Sequence, residues 1–491
     1  MYNVIILVLM AYDITVGAIE WESELFAKKM YFDKVCSNVL DKAWSAGMKS
    51  DRWVVYKYEK GGGIGDILPS FIVGLSLAIK TNRSFRVDWE PLEDIYGKSE
   101  WRWSWRHHSQ SNNTIFSQQE EVQEKQKISR AKLIKSTNNN ACRGIFDNTI
   151  GNELKLSIRN LLSQCLDIKL IKSELINAPE RVISLVTNRG ISSKELFSSV
   201  IRLANFPQTH EGTIWFYFCF TQILSVPTNF FNNNIDQYQV PILWNGRATQ
   251  MKFSHLLATF KKYSSSRSNN MRSIAFHHRV TDNMMRQEVR RQKEQAAATN
   301  FLQKPYSATD FSQKASQRIQ QLVALYPPSY KILCFLATNS VNERRQFAAW
   351  SKNSGCTDSI VQNYSGYSHA GYSRGSSPGS KQTDQISNHY ILYSTLIDWF
   401  LLRTTNFVIL TSAHSCVQSG FTTSAILSTD PLFDQQAIPL DLTIFNNEHD
   451  DQPYMYKSVY PPIWKLTSLV SSPTRCSHGA EFRWPSYLTS S

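Results

Sequence analysis

Hydrophobic and polar positions along this 491-residue chain switch between a period of two and a period near 3.6. Trp53 to Tyr58, WVVYKY, is β-branched and aromatic and predicts a strand. Ile67, Leu68, Phe71, Ile72, Leu75 and Ile79 then recur at helical spacing. KTNRS breaks that helix, and Phe85, Val87 and Trp89 alternate as a second strand. The unit so predicted is βαβ. Trp101 to Cys142 is polar and reads as an exposed insertion, and Leu154 to Leu203 reads as amphipathic helix. Ile214 to Phe220, IWFYFCF, is a strand candidate, and Val240 to Ser264 reads as connecting and helical.

A second α/β pattern begins near Met271. Strands are predicted at Ser273 to His277, Tyr330 to Leu336 and Asn406 to Leu410. Helices are predicted at Val341 to Trp350, Ile386 to Leu402 and Phe421 to Leu427. Ser351 to Asp384 is rich in Ser, Gly and Tyr and reads as a loop. Strands alternating with helices in two blocks imply two α/β domains with parallel sheets, whose ligands bind at the carboxyl ends of the strands. The expected division is 1–18 as a signal peptide or anchor, 19–265 and 266–450 as the two domains, and 451–491 as an extension.

Composition adds bounds. A content of 42% hydrophobic residues supports large cores, and 12% aromatic residues suits both cores and sugar sites. The net charge of +13 has its clearest run at Arg286 to Lys293. No zinc-finger, helix-turn-helix or RNA-recognition signature accompanies it, so nucleic acid is not the expected partner. A phosphorylated donor or an anionic glycan accounts for the sign equally well. Val4 to Tyr12 is apolar and suits a signal-peptide core, with small residues at Val16-Gly17-Ala18 for cleavage. A secretory or Golgi location follows as the expectation, with membrane contact only through that segment. Sequons stand at Asn82, Asn112 and Asn363. Among eight cysteines none forms C-x-x-C, so neither zinc nor a redox pair is indicated. An even number permits disulfides, but Cys219 and Cys334 lie in apolar runs and read as buried thiols.

The chemistry concentrates at strand ends. In YEKGGGIGDILP, Gly61, Gly62, Gly63 and Gly65 join the first strand to its helix, and Asp66 reads as the helix N-cap. Such a loop admits a phosphate, a sugar or simply a close strand. Neither G-x-G-x-x-G nor G-K-[ST] is present. IAFHHRVTDN places His277, Arg279 and Asp282 after a strand, and arginine is the residue for bidentate contact with phosphate. FLATNS places Thr338 and Asn339 at another strand end, where capping alone also explains them. Asp398 lies on an apolar helical face, where a carboxylate needs a partner. Ser412, Ser415, Ser419, Gly420 and Phe421 then form a hydroxyl-rich approach to a helix N-terminus.

In this order, the GGGIGD loop, the H-x-R-x-x-D of HHRVTD, the strand-end LATNS and the DWFLLRTTNFVIL block with its Ser-Gly-Phe turn resemble the GDP-fucose-dependent fucosyltransferase superfamily. The resemblance covers Tyr58 to Trp89 and Met271 to Leu427. It implies a GT-B fold, two Rossmann-like domains facing a central cleft. It also implies an inverting transfer of fucose from GDP-fucose to a glycan or glycoprotein, with no metal and no further cofactor. Carried over by motif, Arg279 would meet the diphosphate with His277 beside it, and Asp398 would hold the guanine edge. The serine loop would face the nucleotide, and the glycine loop would approach from the other domain. Asp66 and Glu90 are candidates for the general base. The sequence departs from the family in carrying A-T-N where the usual form is A-T-D. A catalytically inactive glycan-binding relative and a basic polyanion-binding protein are the alternatives.

Overall fold

The computed structural model describes residues 29–48, 51–58, 64–97, 100–105, 146–150, 153–157, 178–186, 210–225, 239–265, 270–279, 310–363, 381–410, 420–430 and 435–440, with 27 and 433. The chain is α/β, built on two sheets in which parallel pairs predominate. The expected architecture of two parallel-rich α/β sheets is therefore the one observed.

After a first helix at 29–45 (α1), the first sheet begins with β1 (Trp53–Lys57), α2 (Ile64–Thr81) and β2 (Ser84–Asp88). This is the βαβ unit that the periodicity predicts, with Val54 opposite Phe85 and Tyr56 opposite Val87 in parallel register. Ile67, Leu68, Phe71, Ile72, Leu75 and Ile79 are all buried. Each such side chain contributes roughly 1.5–3 kcal/mol by leaving water. Gly74 marks where α2 comes closest to β2, because a Cβ there would lie 2.3 Å from the Phe85 ring. A short α3 (Glu90–Tyr96) follows. Then come β3 (Phe146–Ile150), β4 (Glu153–Ser157), β5 (Val182–Val186) and α4 (His210–Thr221). The sheet order is β2-β1-β5-β4-β3, with only β3 antiparallel to its neighbour.

Two expectations fail here. The helical reading of Leu154 to Leu203 is contradicted by β4 and β5, and β5 lies centrally against β1. IWFYFCF is helix α4, not a strand. A short continuous apolar run does not distinguish a buried strand from a helix buried on several sides. Trp215, Phe216, Cys219 and Phe220 of this helix are all buried.

The second sheet has the order β12-β11-β8-β9-β10-β6-β7. Its antiparallel edge is the hairpin β6 (Gln239–Trp244) and β7 (Arg247–Lys252), followed by α5 (Phe253–Ser264). Asn245 and Gly246 turn the hairpin with φ of 48° and 80°, the left-handed pair that an Asn-Gly turn provides. Val240 to Ser264 is thus more than connecting helix. Although it precedes residue 265, its strands join the second sheet through β6 and β10.

The parallel strands are β8 (Met271–His278), β9 (Lys331–Thr338), β10 (Asp358–Gln362), β11 (Phe407–Leu410) and β12 (Gln436–Pro439). The helices between them are α6 (Asp310–Val323), α7 (Val341–Asn353), α8 (Lys381–Arg403) and α9 (Gly420–Leu427). β10 lies inside the stretch expected to be wholly loop.

One apolar cluster runs through both sheets and includes Phe71, Leu92, Phe216, Phe260, Phe335 and Trp399. Its bridge is helical, α2 against α9 and α3 against α8. Lys29 adds an ion pair from α1 to Asp430 at 2.8 Å. Two disulfides correct the expectation of buried thiols: Cys36–Cys219 joins α1 to α4, and Cys334–Cys356 joins β9 to the turn before β10. Their Cα atoms lie 5.4 and 5.9 Å apart, within bridging range. Burial and bonding are compatible, so an apolar run did not decide the oxidation state. No helix among the described residues is long and apolar enough to cross a membrane.

Candidate functional site

The carboxyl ends of β8, β9 and β10 lie side by side, with His278 opposite Thr338 and Val361 opposite Leu336. β11 flanks β8 on the other side, and α9 begins ten residues beyond its end. Among the described residues, this edge carries His277, Arg279, Thr338 and Asn339 of those that the sequence singles out.

His277 is half-buried, and its Nδ1 lies 2.8 Å from the hydroxyl of Thr422 in the first turn of α9. Its ring packs on Phe421, with centroids 4.8 Å apart. Burial first, then the positive fields of His278 and Arg279, pushes the imidazole down to about 3. Its surroundings favour the neutral imidazole, which shares a hydrogen bond with Thr422. His278 points elsewhere and stacks on Phe311 at 3.8 Å. Arg279 is the first residue beyond β8 and is exposed.

At the next strand end, Thr338, Asn339 and Ser340 are buried. Ser340 caps α7 by accepting from the Glu343 amide at 3.2 Å, and Thr338 accepts from the Ser340 amide at 3.0 Å. A serine cap of this kind is worth about 1 kcal/mol. Capping is thus an observed task of this segment, and it fixes the mouth of the strand. Arg344 of α7 donates to the Asn339 carbonyl at 3.4 Å.

Asp398 stands on the buried face of α8. Its partner is Gln362, the last residue of β10, whose amide donates to Oδ1. Burial pushes the carboxyl up to about 7, while the Gln362 hydrogen bond and the Arg344 charge act against that shift. The sequence-level argument that this carboxylate needs a partner holds, and the partner is internal. Gln362 itself was missed. The only signal for it, a polar residue ending DSIVQ, was hidden in a Ser/Gly-rich surround. Thr422 was missed as well, although it directly follows the Ser-Gly-Phe turn.

Gly65 and Asp66 fall inside the first turn of α2, which starts at Ile64. Asp66 is therefore not the N-cap, because the helix already begins two residues before it. Glu90 opens α3, and Gly420 opens α9. Gly61, Gly62, Gly63, Asp282, Ser412, Ser415 and Ser419 lie outside the described residues. So does Asn112, whereas Asn82 and Asn363 are exposed. Among the described residues no three His, Cys, Asp or Glu side chains come together as metal ligands.

No family model matches the sequence, and no curated protein matches it. Among solved structures, the chain is similar to a mutant of Arabidopsis thaliana FUT1 in complex with GDP. That match has 10% identity and a TM-score of 0.38, over 82% of this chain and 72% of that one. It is also similar to the fucosyltransferase NodZ from Bradyrhizobium, with 14% identity and a TM-score of 0.27, over 79% of this chain and 95% of that one. A NodZ α-1,6-fucosyltransferase soaked with GDP-fucose matches at 14% identity and a TM-score of 0.26, over 77% of this chain and 92% of that one. At such scores and identities no residue role passes from those proteins to this chain.

The local geometry has its own chemical content. A neutral imidazole, an exposed guanidinium, a helix N-terminus and a held carboxylate share one sheet edge. The guanidinium and helix amides favour phosphate oxygens, and an ionised carboxylate favours a donor-rich edge such as that of guanine.

Proposed function

We propose that this protein is an inverting glycosyltransferase that transfers fucose from GDP-fucose to a glycan or glycoprotein acceptor. The observation that carries the reading is the convergence at the second sheet's carboxyl edge of His277, Arg279, the α9 N-terminus and the Gln362–Asp398 pair. In a parallel α/β sheet this edge is where ligands bind. Fucosyl transfer develops charge on a diphosphate leaving group. Arg279 and the α9 amides would stabilise that charge as the glycosidic bond breaks. His277, kept neutral, would donate one hydrogen bond without adding charge, its ring oriented by Thr422. Asp398 would accept from guanine. The acceptor hydroxyl would lose its proton to a carboxylate of the first sheet's side, with Asp66 and Glu90 as the candidates.

We further propose a location in the secretory lumen. Two disulfides in a chain of this kind favour an oxidising compartment, and the apolar run at Val4 to Tyr12 is compatible with entry to it.

Calorimetric titration with GDP, GDP-fucose, UDP and GDP-mannose tests the reading. Binding of GDP and GDP-fucose, with weaker GDP-mannose and no UDP, is expected. Glycan binding without any GDP binding would instead identify a lectin-like protein. Affinity that resides only in polyanions and collapses with salt would identify a charge-driven binder.

A further inference from the structure

Gln362 does two things with one amide. Its Nε2 donates to the Ser394 carbonyl at 2.8 Å and to Oδ1 of Asp398. Ser394 and Asp398 lie four residues apart on α8, so the amide ties the end of β10 to one turn of that helix. Gln362 is 2% exposed and Asp398 6% exposed, so water competes little for either bond. The consequence is a carboxylate with its rotation set and Oδ1 already engaged. Among the described residues no other side chain donates to Asp398.

We propose that Gln362 is the positioning residue that gives this site its preference for guanine. By holding Oδ1 it presents the Asp398 carboxylate in the plane and protonation state that accept the N1–H and the 2-amino group of the base together. The proposal rests on the reading of this edge as a GDP-sugar site. Guanine offers two adjacent donors there, and a carboxylate offers two adjacent acceptors. A protonated carboxyl would present one donor instead and would clash with that edge.

The protonation state is poised, because burial holds this carboxyl near neutrality. The Arg344 guanidinium of α7 is the charged group whose field lowers Asp398. Gln362 and Arg344 together favour the ionised form. Removing the amide therefore raises the carboxyl further and leaves its rotation unset.

The test uses the full-length chain and titrates GDP and inosine diphosphate, which lacks the 2-amino group, at pH 6, 7 and 8.5. The ratio of the two affinities cancels the ionisation of the diphosphate. Wild type should favour GDP by roughly tenfold at pH 8.5, the value of one hydrogen bond to a charged group. Gln362→Met keeps the length and removes the donor. It should lower the GDP ratio at pH 7 towards one and shift its rise to higher pH. An unchanged ratio and pH profile would overturn the proposal. So would an equal loss for both nucleotides at every pH, the signature of a merely structural residue. If Gln362→Met does not fold, Gln362→Leu gives the same decision. It too removes the donor, so its GDP ratio should fall towards one at pH 7, and an unchanged ratio overturns the proposal. Wild type that binds no guanine nucleotide removes the GDP-sugar reading itself, an outcome distinct from a failed substitution.

Discussion

Removing the two disulfides of the described residues one at a time should reveal their different loop lengths. Cys36–Cys219 closes a loop with a sequence separation of 183, and Cys334–Cys356 one of 22. In the chain-entropy account a cross-link removes about 2.1 + 1.5R ln n cal/mol/K from the unfolded state. At 25 °C this gives about 5 kcal/mol for the long loop and about 3.4 kcal/mol for the short one. Cys219, Cys334 and Cys356 are buried and Cys36 half-buried, so any cavity left by alanine weighs more on the short-loop pair and opposes the expected order. The difference of about 2 kcal/mol is then the quantity to test. Guanidinium unfolding of a Cys36→Ala/Cys219→Ala variant and a Cys334→Ala/Cys356→Ala variant measures it. The first should lose more stability than the second. The stack of Phe32 on Trp215, with centroids 4.8 Å apart, should still dock α1 on α4 without the bond, so the native fold should survive. Equal losses, or a larger loss from the short loop, would refute the entropic reasoning and assign the stabilisation to native-state contacts instead.

Other outcomes follow from the second sheet's edge. Arg279→Lys keeps the charge but loses the planar fork, so turnover should fall about 10²-fold with little change in thermal midpoint, as read by fucosyl transfer and a melt. Asp398→Asn should abolish GDP binding yet stabilise the ligand-free protein above pH 7. The sign follows from a folded carboxyl raised to about 7, whose favourable contribution is full below the unfolded value near 4 and lost as pH rises towards 7. A thermal midpoint that is lower than wild type at pH 8 would contradict it. Transfer activity should persist in excess chelator, and a strict manganese requirement would overturn the proposed mechanism. Expressed in a secretory host, the protein should shift in mobility on glycosidase treatment through exposed Asn82 or Asn363. No shift together with cytosolic retention would sink the lumenal assignment.

The elements legible in the sequence are those whose own pattern carries the signal. β1, α2 and β2 were readable because a β-rich run, a 3.6 period and an alternating run follow one another with a break between them. β8, β9 and β11 were readable as apolar runs ending in polar residues. β10 was not, because DSIVQ has only two aliphatic side chains and owes its burial to β9 and β6 on either side. β5 failed for a related reason, since VISLV is buried between two strands that lie far from it in sequence. α4 was mistyped because β-prone aromatic residues fill a helix enclosed by α1, α2 and α9. The hairpin of β6 and β7 carried a usable signal in Asn245-Gly246 that went unread. At the site, chemistry that ends a strand was visible, whereas Gln362 and Thr422 became meaningful only when distant segments met Asp398 and His277.

The apolar cluster shared by both sheets has a consequence for how this protein can be divided. Helices α2 and α3 bury part of their surface only because α9 and α8 lie against them. Cut the chain between α4 and β6, which divides the two sheets, and each fragment would display a greasy face where it now has a neighbour. Neither half is a cartridge that recombination or cloning can lift out and pair with another. The seam between the sheets is under the packing constraints of an interior, so substitutions there act on both sheets at once.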